Sequence, residues 1–182
     1  MEIDIGQGKT GRRAYGFDEI SIVPSRRTRD PEDIDISVMV DKFKLELPVL
    51  ASAMDGVVDI ALASEMSSLG GLAVLNLEGI QTRYDNAGEI LEKIAKFSAD
   101  EATAKMQKIY EEPVKEELIK KRVSELKKSS NIVCASLTPQ KVEKYYKAAI
   151  DAGLDILVIQ GTVVSAEHVS KTREPLDLKR FI

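Results

Sequence analysis

Leu45 to Val58 restricts this chain more than any other stretch. It reads L-E-L-P-V-L-A-S-A-M-D-G-V-V. Pro48 opens a short apolar run, Val49-Leu50-Ala51, and a proline is tolerated at the first residue of a strand. The run breaks into Ser52-Ala53-Met54-Asp55-Gly56. Ile60 to Met66 then has helical composition, Gly70-Gly71 stops it, and Leu72-Ala73-Val74-Leu75 forms a second apolar run. Strand, loop, helix, Gly-Gly, strand is a βαβ unit. Runs that are apolar throughout suit parallel strands covered on both faces. In such folds the carboxyl ends of the strands carry ligands, and Ser52-Ala53-Met54-Asp55 sits at one of them.

The whole sequence is consistent with one ordinary domain core. It has 182 residues, 43% of them hydrophobic. A net charge of -4, from 30 acidic and 26 basic residues, gives no reason to expect nucleic acid or a membrane as the main partner. No apolar run approaches the ~20 residues of a membrane-spanning helix. Met1-Glu2-Ile3-Asp4 lacks the apolar core of a secretion signal. The single cysteine, Cys134, rules out an internal disulfide, and a cytoplasmic setting is expected.

Gly6, Gly8 and Gly11 match G-x-G-x-x-G, but they follow no strand and open no clear helix, which the phosphate fingerprint requires. Residues 1 to 16 therefore read as a flexible arm. Phe17 to Pro24 alternates in part and ends at a proline, which predicts a short strand. Arg26, Arg27 and Arg29 read as a solvated face, with a basic contact to a partner subunit or anionic ligand as the alternative. Ile36, Val38 and Val40 alternate with polar or flexible neighbours and predict another strand.

Between Leu75 and Ile132 the connection is longer than one crossover helix needs. Ile90, Leu91, Ile94 and Phe97 recur at helical spacing. Ser98 with Glu101 is a capping-box pair. Met106, Ile109 and Tyr110 continue an apolar face. Pro113 suits a first helical turn, and Leu118, Ile119, Val123 and Leu126 form a further stripe. The stretch from 86 to 128 is expected to be mainly helical.

Ile132 to Leu137 predicts a third buried strand, with Cys134 inside it as a small hydrophobe. Thr138 then Pro139 are a natural N-cap and first helical residue. Val142, Tyr145, Tyr146, Ala149 and Ile150 should face inward. Gly153 ends the helix, Leu154 to Ile159 forms a fourth apolar run, and Gln160-Gly161-Thr162 breaks it. Thr172 to Pro175 reads as a turn, and Leu176 to Ile182 as a helix that stops without a cap.

Four strand-helix units in a row predict an α/β fold: the N-terminal half of a (β/α)8 TIM barrel. A complete barrel has eight units in ~250 residues, so more chain is expected to follow. A flavodoxin-like open sheet is the structural alternative. In a half barrel the last strand has an unpaired edge and apolar faces lie open. The chain alone is therefore expected to self-associate.

Three segments resemble the IMP dehydrogenase and GMP reductase family. Tyr15-Gly16-Phe17-Asp18-Glu19-Ile20-Ser21-Ile22-Val23-Pro24 looks like the family's leading strand. Pro48 to Asp55, with Leu69 to Leu75, looks like its first two barrel strands. Thr162 to Ser170, with Arg26 to Pro31, points to the branch called IMP dehydrogenase-related. The resemblance leaves out residues 85 to 130.

It implies a barrel enzyme, usually tetrameric, that oxidises IMP to XMP with NAD in guanine nucleotide synthesis. A monovalent cation is compatible with the complete enzyme, and no metal ligands are expected. A cysteine after the sixth strand attacks C2 of the purine as the thiolate. Cys134 matches no catalytic position, so no catalytic residue is assigned here. His168, the only histidine, has no general-base role by this resemblance.

By the same resemblance Ser52 meets the phosphate side of the nucleotide and Met54 its purine. Thr138 falls where the dehydrogenase contacts the adenosine of NAD. Gln160, Gly161 and Thr162 stand where it has Asp-Ser-Ser, and Gln160 lacks that carboxylate. Read without the resemblance, Ser52 is a turn serine and Met54 a core methionine. The dehydrogenase inserts two nucleotide-sensing CBS modules after its second strand, where this sequence is too short for them. Residues 86 to 128 are expected to be a helical insertion instead. Two alternatives stay open: GMP reductase chemistry with NADPH (NADP as cofactor), and a non-catalytic half barrel that binds nucleotide or assembles with other subunits. Expressed alone, the chain is expected to be inactive.

Overall fold

The computed structural model describes residues 2 to 24, 26 to 161 and 176 to 182. The chain divides at Asp35 into two units. The first, Met1 to Asp35, corrects two expectations. Its leading residues are not a loose arm: β1 (Glu2–Gly6) pairs antiparallel with β2 (Lys9–Arg12). The alternation of Ile3 and Ile5 with acidic residues already carried a strand period beneath the glycine pattern. Phe17 to Pro24 forms no strand, because Glu19 closes a turn. Its carboxylate accepts from the Gly16 N–H at 3.0 Å and pairs with Arg13 at 3.1 Å.

The second unit, Ile36 to Ile182, begins with the hairpin β3 (Val38–Val40) and β4 (Phe43–Leu45). Four strands then lie parallel in sequence order: β5 (Leu50–Ala51), β6 (Leu72–Asn76), β7 (Cys134–Leu137) and β8 (Ile156–Ile159). Helix α1 (Ile60–Ser68) joins β5 to β6, and α5 (Val142–Asp151) joins β7 to β8. Both helices turn back to the sheet in the same way. Gly70, at φ +83°, donates to Ser67 while Gly71 donates to Met66. Gly153, at φ +102°, donates to Ile150 while Leu154 donates to Ala149. Each is a Schellman ending that needs left-handed backbone after the cap, hence glycine.

The strand period of two sorts the sheet into two faces. Ala73, Leu75, Ala135 and Leu137 pack with Ile119, Val123, Leu126, Val142 and Ala149. Leu72, Val74 and Cys134 pack on the other side with Leu45 of β4 and Ala53. The opposite ends of the strands are tied by Asp155. Its carboxylate bonds Lys127 Nζ at 2.7 Å and accepts from the Val133 N–H at 2.9 Å.

Between β6 and β7 run α2 (Ala87–Ala95), α3 (Ala99–Tyr110) and α4 (Glu116–Ser129). The stripe Leu118, Ile119, Val123 and Leu126 is buried as its spacing predicts. Two helix starts lie further on than the sequence suggests. Pro113 precedes the α4 cap, Lys115, whose N–H is taken by the Thr82 carbonyl. Thr138 caps only a turn, its carbonyl accepting from Lys141 and Val142, and α5 begins at Val142. Ile150 points outward, 53% exposed, whereas Val142, Tyr145 and Ala149 are buried. The short α6 (Leu178–Phe181) brings Phe181 edge-on to Tyr146, with ring centroids 5.1 Å apart. His168 and the Thr172 to Pro175 turn lie outside the described residues. Among the described residues no helix is long and apolar enough to cross a membrane.

Burial pushes the Cys134 thiol from an ordinary 9.0 up to about 12. Between those values the unfolded chain releases a proton that the native chain keeps. Stability therefore falls as pH rises above 9.0, by at most ~1.4 kcal/mol per pH unit from this group. Denaturant titrations from pH 8 upward should show that decline, and Cys134→Ala should flatten it. Thiol reagents should label Cys134 only after unfolding, a rate readable by absorbance.

Candidate functional site

In a parallel sheet every carboxyl end lies on one side, and the residues just after the strands meet there. A cavity of about 400 Å³ opens at that side, lined by Ala53, Asn76, Glu78, Ser136, Leu137, Thr138, Gln160 and Gly161. Its volume is in the usual range for a small-molecule site. Thr138, Gln160 and Gly161, named from the sequence, all line it. Ser52 and Met54 flank the lining residue Ala53 on the loop after β5, and both are exposed. Thr162 lies outside the described residues. Sequence reading passed over Asn76 and Glu78, which follow apolar residues, and Ser136, which lies inside the run that forms β7.

The loop after β5 is fixed by Asp55. Its Oδ1 accepts from Asn76 Nδ2 at 3.0 Å and its Oδ2 from the Ile80 N–H at 2.9 Å. The Tyr110 hydroxyl also donates to Oδ2. Asn76 Oδ1 in turn accepts from the Glu78 N–H at 3.0 Å. Gly79 makes room for this carboxylate, because a Cβ built there would lie 1.7 Å from Asp55 Oδ1. Burial first, then the Asp55 bond and charge, push the Tyr110 phenol above its ordinary range, while Arg83 pulls the other way. Tyr110 therefore stays protonated and donates.

Glu78 joins the second loop to the third. Its Oε1 accepts from the Thr138 N–H at 2.5 Å and its Oε2 pairs with Lys141 at 3.1 Å. Its carboxylate and the Ser136 and Gln160 side chains give the cavity acceptors and donors at separate points. Cys134 opens β7, two residues before Ser136, and its buried thiol is the reverse of an activated nucleophile. Among the described residues no group of three or more His, Cys, Asp or Glu could hold a metal ion. The arrangement suits binding and orienting an organic ligand through hydrogen bonds.

Comparison with known proteins agrees in fold and sequence. A model described as the IMP dehydrogenase / GMP reductase domain matches residues 14 to 176. An uncharacterized oxidoreductase of Mycolicibacterium smegmatis is 36% identical over 185 residues, covering 99% of this chain and 49% of that protein. A counterpart in Mycobacterium tuberculosis is 38% identical with the same coverage, 99% and 49%. An inosine-5'-monophosphate dehydrogenase of Staphylococcus aureus is 30% identical over 86 residues, 46% of this chain and 18% of that one. The crystal structure of an IMP dehydrogenase/GMP reductase-like protein from Corynebacterium glutamicum superimposes with a TM-score of 0.86 at 35% identity, over 99% of this chain and 48% of that one. The chain thus spans about half the length of the curated relatives it matches end to end.

Gly79→Ala should displace Asp55 and destabilise the fold by about 1–3 kcal/mol, the usual range for overpacking. Asp55→Ala should cost about as much, since it leaves the Ile80 N–H and the Tyr110 hydroxyl without their acceptor. Urea denaturation of the two variants checks both.

Proposed function

We propose that this chain, which belongs to the IMP dehydrogenase / GMP reductase family, forms the nucleotide-binding half of a (β/α)8 barrel oxidoreductase that converts IMP to XMP with NAD. The observation that carries the reading is the cavity at the carboxyl ends of four sequential parallel strands. The Ser52–Met54 loop borders it and Thr138 and Gln160 line it. The oxidoreductase role is common to the family and to the names of its relatives.

In this reading Ser52 donates to the phosphate of the nucleotide and Met54 lies against its purine. Thr138, Gln160 and Gly161 face the dinucleotide, with Thr138 on its adenosine side, and Thr162 is assigned to it by the resemblance. The residues present fit such a ligand: two hydroxyls and two amides line the opening, and Glu78 holds the Thr138 backbone in place. When bound, NAD supplies the hydride acceptor. The thiolate that attacks C2 comes from outside these 182 residues, because Cys134 is sealed in the sheet. The helices from 86 to 128 are read as an insertion at the point where the dehydrogenase carries CBS modules. The complete enzyme is read as a cytoplasmic homotetramer.

Reduction of GMP to IMP with NADPH is the alternative on the same nucleotide loop, since the matched family model covers both activities. Gln160 stands where the dehydrogenase resemblance calls for a carboxylate, so the nicotinamide side differs in either reading.

Calorimetry with the purified chain tests the reading. IMP is expected to bind, and Ser52→Ala to weaken it about tenfold, the loss of one hydrogen bond to a charged group. IMP with NAD should yield no NADH, because the chain brings no thiolate to the purine. Failure to bind either IMP or GMP would overturn the reading. So would turnover that survives Cys134→Ala, while turnover lost on that substitution would make Cys134 the nucleophile.

A further inference from the structure

We propose that Tyr110, at the end of α3, is a positioning residue that sets the place of the Ser52–Met54 loop by holding Asp55. The inference rests on the nucleotide reading above and deepens it.

Helix α3 buries no residue fully, so it contributes little to the core. Its C-terminal end is nevertheless tied to the loops that follow the strands. Tyr84 Oη donates to the Ile109 carbonyl at 2.8 Å, and Arg83 Nη1 donates to the Tyr110 carbonyl at 3.0 Å. The Arg83 guanidinium also lies 5.3 Å from the centre of the Tyr110 ring. The tyrosine is thus gripped by its backbone and its ring, and its hydroxyl reaches Asp55 across 55 residues of sequence.

Asp55 is held on one side by Asn76, the last residue of β6, and by the Ile80 N–H in the loop that follows. Tyr110 adds the third bond, from a different element. Immediately before Asp55, the Met54 carbonyl accepts from both the Val57 and Val58 N–H groups, at 3.0 and 2.9 Å. The carboxylate and this turn together fix the backbone that carries Met54 and Ser52. A phenylalanine at 110 would fill the same space and keep the Arg83 stacking. It would lack only the donor. The hydroxyl therefore acts on the loop and adds little to the packing.

Tyr110→Phe in the full 182-residue chain separates positioning from general support. Calorimetry with IMP and with NAD as separate probes reads the two sides of the cavity. IMP affinity should fall at least tenfold, and NAD affinity should stay within twofold, since Thr138 is held by Glu78 and not by Asp55. Amide shifts in NMR spectra should move at Ala53 and Met54 and stay put at Leu137 and Thr138. Asp55→Asn, which sets an NH2 donor against either the Asn76 amide or the Ile80 N–H and Tyr110 hydroxyl, should give a loss at least as large and again selective for IMP. Unchanged IMP affinity in Tyr110→Phe, or equal losses for both probes, would overturn the inference alone. Absence of IMP binding by the unsubstituted chain would instead overturn the nucleotide reading and the inference with it.

Discussion

Parallel strands need cover on both faces, and this sheet meets the need with two unlike covers. On one face α1, α4 and α5 supply the apolar stripes against Ala73, Leu75, Ala135 and Leu137. On the other, Leu45 from the preceding hairpin packs with Leu72, Val74 and Cys134. Along that second face the strands change character. Val74 and Cys134 pair in register, and the next pair toward the carboxyl ends is Asn76 and Ser136. The apolar part seals the sheet, and the polar part opens into the cavity. Fold and site are two ends of one face.

Much of this was legible because it is written locally. Strands β6, β7 and β8 are short apolar runs, and Gly70 and Gly153 mark where a left-handed residue must follow a helix. Thr138 and Gln160 were legible as the first polar residues after such runs. What escaped depends on contacts between distant residues. Nothing near Asp55 in the sequence says that Tyr110 will donate to it. Asn76 was passed over, and it is the last residue of β6 and a bridge between loops. Phe17 to Pro24 was misread because its alternation resembles a strand, while a single side chain, Glu19, closes the turn. Ile150 was misread because a 3.6-residue stripe has a border, and this residue lies over it.

The helical connection shows a second kind of support. Its stripes bury Ile119, Val123 and Leu126, but two arginines fasten it to the loop after β6. Arg83 donates to the carbonyls of Glu78, Tyr110 and Glu112. Arg122 donates to the carbonyls of Gln81 and Asp85 and pairs with Glu125. Both arginines are at least nine-tenths buried. A buried guanidinium is costly unless its donors are met, and here irregular backbone meets them. The same bonds satisfy carbonyls that no helix or sheet would pair. The loop after β6 can therefore be irregular and still hold Asn76 and Glu78 in fixed places.

That rigidity bears on what the site's charged groups do. Asp55 looks like a general base in the motif Ser52-Ala53-Met54-Asp55, since a carboxylate near a ligand commonly takes a proton. Its oxygens already accept from an amide side chain, a backbone N–H and a phenol. Glu78 is similarly occupied by the Thr138 N–H and Lys141. Both carboxylates are thus engaged in bonds that hold the loops. Ser52, Met54 and Gln160, by contrast, stand exposed beside them. The acids build the frame, and neutral side chains present themselves to the ligand. A site arranged this way has paid its ordering cost before any ligand arrives, which is how preorganisation raises affinity without adding contacts.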